Sequence, residues 1–97
     1  MTLLRITGFI WLEEIVEKIA TKHHVEPREV EELFSGAPKF RFVENGHRKG
    51  EDVYAALGRT DSGRYLVTFF ILKTDDHVLP LSARDMTPAE RKRHARK

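Results

Sequence analysis

Tyr65-Leu66-Val67-Thr68-Phe69-Phe70-Ile71-Leu72 is apolar on both of the faces that an extended chain presents. Successive strand side chains point to opposite sides, so this run needs cover above and below and belongs at the centre of a sheet. Its neighbours follow from the turns around it. Asp61-Ser62-Gly63 is a compact turn that joins it to an extended run from Asp52 to Thr60, predicting an antiparallel hairpin. On the other side Asp75-Asp76 turns the chain into a last strand, His77 to Ala83. Pro80 cannot donate a ladder hydrogen bond there and so requires an edge or a bulge. Further out, Phe40 and Phe42 alternate with Lys39 and Arg41 ahead of an Asn45-Gly46 turn, which adds a strand.

Before Pro38 the period is near four. Leu12, Ile15, Val16 and Ile19 recur at helical spacing from Trp11 onward, with Glu13, Glu14, Glu17 and Thr21 opposite them. Pro27 opens a second helix, with Glu29, Glu31 and Glu32 near its positive end and Val30, Leu33 and Phe34 on its apolar face, until Gly36 and Pro38 stop it. Met1 to Ile10 reads as a short strand or an extended lead-in. Thr87-Pro88-Ala89-Glu90 is a capping box with proline at the first helical position, so a short helix ends the chain. The order predicts an α+β fold: two N-terminal helices packed on a three- to four-stranded antiparallel sheet, then a short basic C-terminal helix.

The 97 residues suffice for one core, and residues 1–97 are expected to form one domain. A composition 40% hydrophobic and 33% charged is too apolar for disorder. No apolar run approaches the roughly 20 residues that span a bilayer, and Met1 to Ile10 lacks the long apolar stretch of a signal peptide. With no cysteine there is no disulfide and no thiolate chemistry, which suits a cytoplasmic location. The formal net charge of +2 conceals a division. Trp11 to Phe34 sets seven glutamates against three cations, whereas Ser82 to Lys97 sets six cations against Asp85 and Glu90. A basic end of this kind suits an anionic ligand, or simply keeps a small domain soluble.

Lys22 and His23 fall inside the apolar arc of the first helix, in its last turn. Either Lys22 snorkels and His23 faces the negative helix end, or the pair stands at the rim of a cleft. Arg59, Arg64 and Arg84 all sit at strand ends, where planar guanidinium groups are able to grip a phosphodiester. Tyr54 and Tyr65 are candidates to stack a base or to pack across strands. The five histidines, His23, His24, His47, His77 and His94, show no metal-ligand spacing, so neither a metal nor another cofactor is expected. A serine triad, a P-loop and a dinucleotide fingerprint are absent.

Lys22-His23-His24-Val25-Glu26-Pro27-Arg28-Glu29-Val30-Glu31-Glu32 resembles the helical "KHGV..EEVEE" segment of BrnT-type toxins, the ribonuclease members of type II toxin–antitoxin pairs. Tyr54-Ala55-Ala56-Leu57-Gly58-Arg59-Thr60, Gly63-Arg64-Tyr65-Leu66, and Ser82-Ala83-Arg84-Asp85-Met86-Thr87 with Glu90-Arg91 match that family's later blocks in order. The resemblance implies a RelE-like fold, metal-independent RNA cleavage, and neutralisation by a BrnA-type antitoxin through which alone the protein would meet DNA. It leaves a homodimer open. His24 stands where the family usually has glycine, and His94 near a position where many members carry tyrosine. Cleavage through the 2′-OH requires a base for that hydroxyl and cations for the phosphorane. The expected assignment is Lys22 or His23 as base, Arg59 and Arg84 for charge stabilisation, and Arg64, Arg91, Lys92 and Arg93 for holding RNA. A non-catalytic RNA- or protein-binding module of the same fold is the alternative, and an enzyme acting on a phosphorylated metabolite is a third class.

Overall fold

The computed structural model describes residues 6–95, so the part of the lead-in expectation on residues 1–5, and the terminal cations Arg96 and Lys97, lie outside the described residues. The elements run β1 (Gly8–Phe9), α1 (Glu13–His23), α2 (Pro27–Ser35), β2 (Lys39–Glu44), β3 (Val53–Arg59), β4 (Tyr65–Leu72), β5 (His77–Asp85) and α3 (Pro88–His94). The sheet order is β1-β5-β4-β3-β2, which puts β4 at the centre with antiparallel neighbours on both sides.

Among the described residues the sheet is five-stranded and mixed, where the sequence predicts three or four antiparallel strands. The added strand, β1, is two residues long and pairs in parallel with β5. It is short for a chemical reason. The Ile10 N–H donates to the Val78 carbonyl, and the next β5 residue on that side is Pro80, which has no N–H to return.

Both faces of β4 are covered, unequally. On one, Ile19 of α1, Val25, and Val30 and Leu33 of α2 pack on Ala56, Leu66, Phe70, Val78 and Ala83. Phe34 joins them, its ring centroid 5.1 Å from that of Phe70 and 5.3 Å from that of Phe9, both edge-on. The other face carries a smaller cluster of Ala55, Leu57, Val67 and Met86, flanked by Tyr65 and Phe69. No residue of α3 is buried, so that helix caps the second face without contributing to its core.

The register of β5 against β4 decides which side chains reach each face. Phe70 pairs with Pro80 but Phe69 pairs with Ser82, so Leu81 is an extra residue in the ladder. Paired residues share a face. Val78 and Pro80 therefore lie on the α1/α2 side, whereas beyond Leu81 the parity flips, turning Arg84 to the α3 side and Asp85 to the α1/α2 side. The Leu81 carbonyl accepts a 2.7 Å bond from Lys18 Nζ, which anchors the bulge to α1.

At the end of α1, His24 adopts φ 55° and ψ 39°, the left-handed conformation in which L-residues are strained. The turn lets the Val25 N–H reach back to the Ile19 carbonyl at 3.0 Å and buries Val25 completely. Glycine adopts this conformation without the Cβ penalty. His24→Gly should stabilise the domain by roughly 0.5–1 kcal/mol and raise its melting temperature by a few degrees. A melting temperature that falls in that variant would show that the imidazole makes a contribution larger than the backbone strain.

Candidate functional site

The side of the sheet under α3 is built from alternating residues of β2, β3 and β4 and from the half of β5 beyond the bulge. Arg84 points there and places its guanidinium 5.4 Å from the centroid of the Phe69 ring. It also forms a fork with Glu90, Nη1 to Oε1 at 2.8 Å and Nη2 to Oε2 at 3.1 Å. Glu90 is the third residue of the Thr87 capping box, and its Oε1 also accepts the Thr87 N–H at 2.8 Å. The Arg84 guanidinium, with help from that N–H and against the cost of burial, lowers the Glu90 pKa to about 2.

Tyr65, opposite Arg59 across the β3–β4 pair, is the centre of a second group. The Arg59 guanidinium carbon lies 4.9 Å from the Tyr65 ring centroid and that of Arg91 lies 4.3 Å from it. Gly63 makes room: at φ +91° it suits the turn, and a Cβ there would stand 3.0 Å from Arg59 Nη2. Among the described residues neither Arg59 nor Arg91 forms an ion pair with a carboxylate. The His94 ring meets Tyr65 edge-on at 6.2 Å. Burial first, then the positive charges of Lys39 and Arg59, lowers the His94 pKa below its ordinary value, so the ring is neutral at neutral pH. Beside it, between β2 and α3, is a cavity of about 220 Å³ whose lining includes Arg41, Leu57, Arg93 and His94. Lys39 Nζ donates to the His94 carbonyl at 2.7 Å and so caps the negative end of α3.

Arg64 is on the opposite layer, and every N–H of its guanidinium is committed within the protein. Nε and Nη2 hold Asp85 at 2.7 and 3.2 Å, and Nη1 holds Glu29 at 3.1 and 3.2 Å. Nη1 and Nη2 also donate to the His24 and His23 carbonyls at 2.7 and 2.9 Å. The Asp85 pKa is lowered from its ordinary value, chiefly by the Arg64 hydrogen bonds and against the cost of burial, with a smaller contribution from the nearby His23 and His24.

Of the residues singled out in the sequence, Arg59, Arg84, Arg91 and Arg93 thus share the α3 side, where Lys92 is exposed on the same helix. Lys22, exposed, and His23, half-buried, end α1 on the other layer with Arg64, so the four catalytic candidates do not meet in one cleft. Sequence reasoning gives no site role to His94 or to the β2 cations Lys39 and Arg41. The alternation of Lys39 and Arg41 with Phe40 and Phe42 was the available sign that both lie on one face. Among the described residues no group of three or more His, Asp or Glu side chains is placed to hold a metal ion, and no helix is long and apolar enough to cross a membrane.

A small α+β domain with unpaired arginines gathered around a tyrosine on one sheet face has the layout of a protein that takes hold of a polyanion. Residues 11–90 match the model of a family described as the ribonuclease toxin, BrnT, of type II toxin–antitoxin systems, and the chain belongs to that family. Membership brings an RNA target and an antitoxin partner. No curated protein sequence matches the chain significantly.

Two outcomes follow from the ion pairs. Arg64→Ala strips two carboxylates and two helix-end carbonyls of their donor and should cost roughly 2–3 kcal/mol in chemical denaturation, whereas Arg59→Ala, which has no acid partner, should cost under about 1 kcal/mol. Equal losses would deny Arg64 its structural role. Glu90 has a folded-state pKa of about 2 against an ordinary 4.5, so its stabilisation is complete above about 4.5 and is lost as the pH falls toward 2. Wild type should therefore exceed Glu90→Gln in stability by about 2 kcal/mol at pH 7, after allowing for the partial exposure of the pair, and the two should converge near pH 2.

Proposed function

We propose that the protein is an endoribonuclease toxin with a RelE-like fold that cuts RNA without a metal, by attack of a ribose 2′-oxygen on the adjacent phosphorus. The observation that carries the reading is the pair of guanidinium groups, Arg59 and Arg91, held at one aromatic ring with no carboxylate to neutralise them. Family membership supplies the substrate class.

In this reading the phosphodiester lies against Arg59 and Arg91, which bear the charge that builds on its non-bridging oxygens. The 2′-hydroxyl gives its proton to solvent, a bond forms from the 2′-oxygen to phosphorus, and the bond from phosphorus to the 5′-oxygen breaks. The 5′-oxygen takes a proton from solvent, leaving a 2′,3′-cyclic phosphate on one product and a 5′-hydroxyl on the other. Arg84 acts through α3: its fork to Glu90 fixes the helix that carries Arg91, and its own positive charge adds to the field at the phosphate. Lys92 and Arg93 hold flanking phosphates. Lys22 and His23 stand on the other layer and take no part in this geometry. DNA lacks the 2′-hydroxyl and is not cut. A BrnA-type antitoxin neutralises the toxin in the cytoplasm and is its only link to DNA.

The test uses purified protein, a labelled single-stranded RNA and the same strand with one 2′-deoxynucleotide at the cut. Cleavage should persist in a chelator, stop at the deoxy position, and fall about 100-fold in Arg59→Ala and Arg91→Ala while both stay folded, with melting temperatures within a few degrees of wild type. Lys73→Ala, in the β4–β5 turn, should cut at the wild-type rate. RNA binding without cleavage would replace this reading with that of a non-catalytic module.

A further inference from the structure

The geometry points to a nucleobase subsite in the cavity between β2 and α3, formed by Arg41, Leu57, Arg93 and His94 and selective for guanine. It deepens the ribonuclease reading and rests on it. The cavity adjoins the place assigned to the phosphate, because the His94 ring that lines it also meets Tyr65, the ring shared by Arg59 and Arg91. Its volume of about 220 Å³ is on the scale of a single base rather than of a longer stretch of chain. Leu57, almost fully buried, offers an apolar surface to the base plane.

Most of the polar groups around the cavity donate. Arg41 and Arg93 have no acceptor atom in their side chains. Glu90 also lines it; its Oε1 accepts from Arg84 and from the Thr87 N–H and its Oε2 from Arg84, so it keeps one acceptor position beside the donors. His94 completes the set. Its Nδ1 is buried without a hydrogen-bond partner. A buried N–H without an acceptor is the costlier state, so the proton of the neutral ring belongs on Nε2, which makes His94 a donor as well. A rim mostly of donors favours a base edge with two adjacent acceptors away from the sugar. Guanine has one, with N7 and O6 side by side; adenine sets its amino group beside N7, uracil sets N3–H between its two carbonyls, and cytosine's adjacent O2 and N3 lie next to the sugar.

The probes are the four nucleoside 5′-monophosphates, titrated into the full-length protein and followed by NMR at the backbone amides and, where it is present, the His94 ring. GMP should shift the His94 resonances and bind about tenfold tighter than AMP, CMP or UMP. Arg41→Ala and His94→Ala, shown to be folded by their spectra, should each bring GMP close to the affinity of AMP while leaving AMP binding unchanged. Equal binding of all four would reduce the cavity to a phosphate site and overturn the proposal. A preference for another base, or a guanine preference that survives both substitutions, would overturn it too. The GMP result is independent of turnover: selective binding in a protein that cuts no RNA defeats the ribonuclease reading alone, and cleavage without selective binding defeats the subsite alone.

Discussion

Arg64 is the interaction on which the arrangement of layers depends. It leads into β4 from the turn closed by the Thr60 and Arg64 main-chain bond, and from there its fork reaches Asp85 of β5, Glu29 of α2 and the last carbonyls of α1. The α1/α2 segment is the acidic half of the sequence, and the end of α1 adds the negative pole of a helix. One planar cation with five donors satisfies all of these at once, in a geometry that a lysine would not reproduce. Because Arg64 offsets the acidic layer locally, the cations of the other face are left without that demand on them.

The two faces are consequently held by different physics. Under α1 and α2 the sheet buries Phe70, Leu66, Ile19 and Leu33 almost completely, and dispersion and the hydrophobic effect dominate. Under α3 the apolar cluster is small, and the helix is fixed by the Arg84 and Glu90 fork, the capping box of Thr87, the Arg91 contact with Tyr65 and the Lys39 bond to the His94 carbonyl. Such contacts are individually modest and partly exposed, so α3 belongs to the low end of local stability. The groups that the ribonuclease reading assigns to RNA stand on or beside this element.

Much of this was legible in the sequence. The two-sided apolarity of Tyr65 to Leu72 gave the central strand, the Asp61-Ser62-Gly63 turn gave its partner, and the Thr87 to Glu90 capping box gave α3. β1 was not legible as a parallel strand, since Gly8–Phe9 is too short to show any period and its pairing is set by β5 far along the chain. The site was harder, because it turns on parity. Arg84 reaches the α3 side only through the extra residue at Leu81, and a strand without that bulge would have sent it toward the acidic layer with Arg64. Pro80 signals that the ladder is disturbed but not where the count changes. The apolar arc of α1 placed Lys22 and His23 near the sheet, yet no periodicity within one helix tells on which side of that sheet the strand-end arginines lie.

The same parity gives the arginine cluster its character. Arg59 and Arg91 approach one ring without an ion-paired carboxylate, and the negative face of Tyr65 is what meets both guanidinium groups. A protein selected for stability alone would place a glutamate there, as it does for Arg84. Leaving the charges uncompensated keeps the field directed outward, and Arg84, already paired, contributes less to it than its position suggests. In the ribonuclease reading proposed above, an entering phosphodiester meets two guanidinium groups that no carboxylate has already neutralised. In that reading the attraction grows as the phosphorus gathers charge toward the transition state, which is the condition under which a binding face also accelerates a reaction.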